Sequence, residues 1–216
     1  MQLLRRRTLG LLIALAAAVL GVGLGVSRYA AAQRARATKS LVRAIEKDES
    51  ATRIAGLLAA GADPNARLPD GNSLLRRAMQ PRDPSVSELS LHAGKTPLML
   101  THNVESARAL VAAGASVHAR DSAGATALHH AAGKNAASLV GYLLRCGANP
   151  HQRDRHGETP LSIALTSLYA AVGPTTGRKL TSAEESEVRQ DVAFYAEAGV
   201  PAAKIVLFLR RAGARE

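Results

Sequence analysis

The amino-acid sequence predicts an all-α fold, a solenoid of about four helical repeat units preceded by an apolar helix and closed by a capping helix. Of the 216 residues, 47% are hydrophobic but only 3% are aromatic. The core must therefore consist mainly of Leu, Ala, Val and Ile, which suits thin layers of packed helices. No window is dominated by strand-forming residues, and a pair of glycines at one fixed spacing occurs three times. A chain of this length can form one such domain.

The N-terminus has the composition of a membrane-targeting segment. Residues 1–7 are basic, and residues 8–26 form a run of 19 residues without a charge. As a helix rising about 1.5 Å per residue, this run spans roughly 28 Å, close to the ~30 Å hydrocarbon core of a bilayer. It is either a transmembrane anchor or an export signal cleaved near Ala32, where small residues follow the run. Residues 27–37 are expected to form a linker.

Basic residues before the apolar run also predict an orientation. A short tail with three arginines is difficult to translocate, so the N-terminus is expected in the cytoplasm. The chain would then be a single-pass inner-membrane protein with its repeats in the periplasm of a bacterium.

The net charge of +11 is concentrated at the N-terminus. Residues 1–40 contain seven cations and no acid, which leaves 21 cations against 17 acids in residues 41–216. That small surplus is scattered and lacks interleaved aromatic residues. We therefore expect no nucleic-acid partner.

The internal repeat is defined by pairs of glycines with an arginine six residues after the first. Ten residues separate the members of each pair, which are Gly61 and Gly71, Gly114 and Gly124, and Gly147 and Gly157. Glycine suits helix ends and tight turns that need positive φ, so each pair is expected to bracket a hairpin.

A helix start follows the second glycine of two pairs. The starts are Thr126-Ala127-Leu128-His129 and Thr159-Pro160-Leu161, in which Thr can cap the helix and Pro suits its first turn. A second apolar helix follows each time, as in Leu139, Val140, Leu143 and Leu144. One helix pair cannot offset its own ordering entropy, so the units must stack.

These residues resemble the ankyrin repeat family. The segment Asp121–Arg153 spans 33 residues and carries Gly124, Thr126, Leu128, His129 and Gly147 at the family's spacing, with Ala127 where the family usually has Pro. The resemblance implies a structural role for His129, and also for His118 and His151, which occupy the family's usual Asn position. It further implies that another protein binds on a concave surface of inner helices and hairpin tips.

The expected units are 38–67, 68–120 with an insertion at 79–93, 121–153, and 154–200 with an insertion at 173–182. A capping helix at 201–216 would follow. Both Gly71 and Gly94 precede sequences that could open the second unit, and a short first helix is expected after Gly94. Matched to the family, the binding positions are Pro69, Asp70, Ser122, Ala123, Lys134, Arg155, His156, Thr166 and Ser167.

The sequence contains no motif that indicates catalysis, a cofactor or a metal site. Neighbouring side chains on a helix diverge by about 100°, so His129 and His130 are poorly placed to chelate one ion. Cys146 is the lone cysteine and is expected to be a small buried hydrophobe. The predicted function is a protein-binding module, anchored or exported and not an enzyme. An inhibitor or immunity protein, a factor supporting a periplasmic enzyme and a histidine-dependent enzyme are the alternatives.

Overall fold

The computed structural model describes residues 27, 29–68, 94–173 and 181–215. Within these ranges the regular structure is helical, and no strand is present. The helices are α1 (29–46), α2 (Ala51–Ala59), α3 (Pro97–Leu100), α4 (Val104–Ala112), α5 (Ala127–Gly133), α6 (Ala137–Arg145), α7 (Pro160–Val172), α8 (Ser182–Gln190), α9 (Val192–Glu197) and α10 (Pro201–Arg211).

The helices form two parallel rows around one core. Helices α3, α5 and α7 pack in sequence as an inner row, while α2, α4, α6 and α10 form an outer row. Helix α1 contributes Leu41 and Ile45 to the same core, which further includes Leu98, Leu110, Leu128, Leu139, Leu161 and Leu209. The predicted all-α repeat stack is confirmed.

A threonine starts each inner helix, and three chemically different side chains complete the same cap. The backbone N–H of Thr96 donates to Met99 Sδ at 3.4 Å, and that of Thr126 donates to His129 Nδ1 at 3.1 Å. In the fourth unit, Thr159 N–H donates to Ser162 Oγ at 2.9 Å. The side chain three residues into the helix thus satisfies a donor that would otherwise lack a partner.

Glycine with positive φ ends each outer helix. These residues are Gly61, Gly114, Gly147 and Gly213, with φ of 89°, 89°, 85° and 90°. In each case the N–H groups of the glycine and of the following alanine return to carbonyls in the last turn, as in a Schellman motif.

The fourth glycine identifies α10 as the outer helix of the fourth unit, which corrects the predicted cap at 201–216. Helix α10 packs on α6 and α7, just as α6 packs on α4 and α5. The interruption is consequently longer than the predicted 173–182. It extends from Gly173 to Val200 and includes α8 and α9, which pack on α7 and α10 respectively.

In the second unit, the chain leaves the stack at Leu68 and returns at Gly94. Leu68 N–H donates to Lys95 O at 3.0 Å, and Gly94 N–H donates to Leu68 O at 2.9 Å. Asp121 makes the same two bonds with Ala125 and Gly124. Gly94 therefore fills the place predicted for Gly71, which lies outside the described residues together with the predicted insertion 79–93. The expected short first helix is confirmed in α3, which has four residues.

The N-terminal predictions fare differently. The segment predicted as a linker, 27–37, is helical from residue 29, because α1 extends beyond the stack with residues 29–36 exposed. The predicted anchor or export signal, 8–26, lies outside the described residues. Within the part that the structure describes, no helix combines the length and the apolar character needed to cross a membrane.

Candidate functional site

The hairpin side of the stack is held together by a ladder of arginines. Arg67 Nη1 donates to Arg120 O at 2.7 Å, and Arg120 Nη2 donates to Arg153 O at 2.8 Å. Arg153 then donates to Gly157 O at 2.7 Å within its own hairpin. The arginine that marks each repeat in the sequence thus fixes one hairpin against the next.

Buried carboxylates shape the hairpin tips. Asp121 Oδ1 accepts hydrogen bonds from Ala123 N–H and Ala125 N–H, both at 2.9 Å. Asp154 Oδ1 accepts equivalent bonds from His156 and Glu158 at 2.8 and 2.9 Å. These bonds set the tips at fixed positions along the same edge, and a rigid scaffold is what a binding loop requires.

The third unit adds a bond between its hairpin and its inner helix. His130 Nε2 lies 2.7 Å from Asp121 Oδ2, with side-chain exposures of 20% and 3%. Burial lowers the pKa of His130, the hydrogen bond to Asp121 opposes that shift, and the positive charges of Lys95 and Lys134 reinforce it. Asp121 is therefore fully engaged by three donors.

Lys134 fills the space left by the short helix α3. Its Nζ donates to Leu100 O at 2.5 Å and approaches Met99 O at 3.4 Å. The ammonium thus binds the carbonyls at the end of α3, where a cation is also favoured by the helix dipole. Although much of the residue remains exposed, partial desolvation of the ammonium and then the charge of Lys95 lower the pKa of Lys134.

Together, Lys95, His130 and Lys134 form a basic cluster on the inner helices, which we call the inner-row cluster. Their mutual effects on pKa show that the three groups lie close to one another. The carboxylate beside them, Asp121, already accepts three hydrogen bonds. The cluster can therefore receive an additional negative charge.

His129 faces the core. Its Nδ1 accepts the Thr126 N–H, and its Nε2 lies 3.2 Å from Glu158 O in the next unit. Desolvation lowers the pKa of this imidazole, mainly against the effect of the Glu158 carbonyl. The ring therefore joins two units, in keeping with the structural role expected for it.

The family model described as "Ankyrin repeats (many copies)" matches residues 110–164. This chain carries ankyrin repeats. It is 33% identical over 88 residues to the mouse (Mus musculus) B-cell lymphoma 3 protein homolog, a match that covers 38% of the chain and 19% of that protein. It is 36% identical over 95 residues to the Caenorhabditis elegans ankyrin repeat and LEM domain-containing protein 1 homolog, covering 44% and 12% respectively.

The chain therefore spans less than a fifth of the length of these curated relatives. Among solved structures, the ankyrin repeat domain of Bcl-3 is similar with a TM-score of 0.43 and 22% sequence identity, over 69% of this chain and 50% of that chain.

The ankyrin units distribute the predicted binding residues unevenly. Ser122, Ala123, Arg155 and His156 lie on adjoining hairpin tips, where Arg155 N–H donates to Ala123 O at 2.9 Å. On α7, Thr166 is exposed but donates its hydroxyl to Ser162 O at 3.0 Å, and Ser167 is half-buried. Pro69 and Asp70 lie outside the described residues.

Sequence reasoning missed Lys95 and the contribution of His130 to this surface. Both residues flank the threonine that starts an inner helix, and that position could have marked them. Their proximity depends on stacking of the second unit on the third, which local spacing does not reveal.

The remaining histidines differ from the residue whose position they share. Asn65 links the first two units, because its Nδ2 donates to Gly114 O at 2.8 Å and its Oδ1 accepts Ser116 N–H at 2.7 Å. His118 and His151 are exposed at the equivalent positions, and their rings make no hydrogen bond with another described residue. The structural role predicted for these two rings therefore has no counterpart here.

The groups considered for chemistry are scattered. No three His, Cys, Asp or Glu residues within the described ranges are grouped so that they could hold a metal ion. His156 is exposed at a hairpin tip, and Cys146 is a half-buried free thiol at the end of α6.

Proposed function

We propose that the ankyrin module binds an acidic segment of another protein on the concave face formed by its inner helices and hairpin tips. Ankyrin repeats indicate a protein–protein interaction module, and the chemistry of the partner is the new element here. The observation that carries this proposal is the inner-row cluster, in which two lysines and a histidine surround a carboxylate that is already engaged.

Charge complementarity explains why an acidic segment fits this face. A carboxylate between Lys95 and Lys134 would offset the repulsion between their ammonium groups. Charge-assisted hydrogen bonds are roughly twice as strong as neutral ones, and complementary charge mainly increases specificity and the rate of association. The adjoining tips at Ala123 and Arg155 would contact the flanking residues of the partner.

The binding experiment uses site-specific photo-cross-linking in the native host. A photoreactive amino acid placed at Ala123 or His156 in the full chain should cross-link one partner, identified by mass spectrometry. The same group at Ala112, which is exposed on the outer row, should not. Equal cross-linking from all three positions would contradict binding on the concave face.

The partner's chemistry is tested with matched charge variants. Lys95→Gln combined with Lys134→Gln should reduce cross-linking from position 123 at least tenfold. Arg108→Gln with Arg145→Gln, on the exposed outer row, provides a control with the same change in net charge. Unchanged cross-linking in the lysine variant would exclude an acidic contact at the cluster.

For the location, we propose a single-pass inner-membrane protein anchored by residues 8–26, with the repeats in the periplasm of a bacterium. The uncharged run and the three arginines before it support this proposal. Export with cleavage near Ala32 is the alternative. Protease added to intact spheroplasts should digest the repeats, and protected repeats would contradict the periplasmic orientation. The partner would then be a periplasmic enzyme or a toxin that the module inhibits.

A further inference from the structure

Four cations lie along one exposed stripe of helix α1. Counting from the first, their spacing is three, four and four residues, which places them on one helical face about 16 Å long. They are Arg36, Lys39, Arg43 and Lys47, and all four are exposed. The opposite face packs into the core through Leu41, Val42, Ala44 and Ile45. The stripe therefore faces away from the stack along its whole length.

The stripe is not neutralised within the described chain. The ion pairs there join Arg53 to Glu49, His102 to Asp48 and His130 to Asp121, and none of them includes a cation of the stripe. Glu46 is the single acid in residues 29–46 and lies at the edge of the stripe. Its four positive charges are thus available to an external anion.

We infer that this stripe binds the anionic headgroups of a phospholipid membrane and holds the repeats against it. This inference rests on the proposed membrane location, since the stripe begins ten residues after the apolar run 8–26. Clusters of four to eight Lys and Arg on a helix beside a membrane segment are attracted to anionic lipids. The wide spacing and the absence of stacking aromatic residues fit a headgroup surface better than a nucleic acid.

Contact with the headgroups requires the chain to turn between the apolar run and α1. Electrostatic screening confines attraction to about 8 Å at physiological salt, so a helix standing upright on the membrane would bring only its first turn within range. Gly21, Gly23 and Gly25 lie at the end of the run, and glycine is a poor helix former. A turn at these residues allows α1 to lie along the surface.

The test measures how close α1 comes to lipid in nanodiscs. The full chain with Cys146→Ser and Ser40→Cys carries a fluorophore beside the stripe, and a second version carries it at Ser186→Cys on α8. Discs contain either phosphatidylcholine alone or a mixture with about one third phosphatidylglycerol, and both include a lipid with a quenching headgroup. Quenching at position 40 should increase at least threefold in anionic discs and disappear in about 0.5 M NaCl. Quenching at position 186 should not change.

Two charge variants separate the stripe from the overall charge of the protein. Gln at all four stripe positions should abolish the increase at position 40. Gln at Arg108, Arg145, Lys204 and Arg211, which are exposed cations elsewhere, should preserve it. Equal quenching in both kinds of disc, or the same loss in both variants, overturns the inference and leaves an acidic protein or a nucleic acid as the ligand.

The experiment also distinguishes this inference from the proposed anchor. If the chain remains in neutral discs after extraction at high salt, the apolar run is inserted whatever the stripe does. If neutral discs do not retain the chain but anionic discs capture it through the stripe, the anchor fails and the inference stands. If neither kind of disc retains it, both fail.

Discussion

The second and third ankyrin units use the same hydrogen-bond frame on very different lengths of chain. The third unit is regular, with 33 residues from Asp121 to Arg153. The second has a four-residue inner helix and carries residues 69–93 where the third has the two tip residues Ser122 and Ala123. Yet Leu68 bonds to Lys95 as Asp121 bonds to Ala125. A repeat is therefore defined by its frame and its buried leucines, while its length can vary.

The strongest test of this comparison removes equivalent leucines from the two inner helices. Leu98 is 1% exposed and Leu128 is 0% exposed, so each fills the same core. We expect Leu98→Ala and Leu128→Ala each to lower the free energy of unfolding by about 3 kcal/mol, because each leaves a cavity. Denaturant titration followed by circular dichroism measures both values. If Leu98→Ala costs much less, the short helix α3 is not an equal part of the core.

A second test addresses the carboxylate that the second unit lacks. Asp121→Ala leaves two hairpin N–H groups and His130 without their acceptor. The expected loss is about 2 kcal/mol, because buried donors then lack partners. Asp121→Asn keeps one acceptor oxygen and should cost less. A loss of similar size in Leu68→Ala would show that packing, not the carboxylate, stabilises the hairpin.

The third test uses acid. Burial lowers the pKa of both His129 and His130 below 6.5, so the unfolded chain binds more protons once the pH falls through that value. The stability that these residues contribute is complete above about pH 6.5 and declines below it. For each histidine the free energy of unfolding then falls by at most about 1.4 kcal/mol per pH unit.

Copying the second unit into the third provides the control for acid sensitivity. Met99 and Leu100 occupy the equivalent positions, so His129→Met with His130→Leu should flatten the dependence of melting temperature on pH between 5 and 7. An unchanged slope would assign the acid sensitivity to other groups.

The smallest expected effect concerns Lys134, which binds the end of the shortened helix. Lys134→Met removes the bonds to Leu100 O and Met99 O but retains an apolar stem. Because the side chain remains largely exposed, we expect a loss of about 0.5 kcal/mol. Thermal unfolding of Lys134→Met and Lys134→Arg measures it. Arg should restore the wild-type value if the cation at this position matters.

The sequence predicted local features well and long-range ones poorly. Glycines and threonines at fixed spacing located the hairpins and helix starts, because each acts through its own backbone conformation. The choice between Gly71 and Gly94 depended on a bond from Leu68 to Lys95 across the insertion. Likewise, α10 could be identified as an outer helix only by its packing, although Gly213-Ala214 repeats the ending Gly147-Ala148 and was an available signal.

The candidate site shows the same limit. The hairpin tips followed from the repeat pattern, but the inner-row cluster depends on helices from two units that meet in space. Lys134 was predicted to face a partner, and its bond to Leu100 exists because α3 ends early.

The closure between Leu68 and Gly94 also has an evolutionary consequence. Lengthening a loop from two residues to 25 costs only about 2 kcal/mol of closure entropy, because that cost grows with the logarithm of length. With its two ends bonded to each other, this position can acquire or lose whole segments while every contact of the stack is retained. Lineages could therefore exchange the sequence held there, and with it a binding specificity, without refolding the scaffold that carries it.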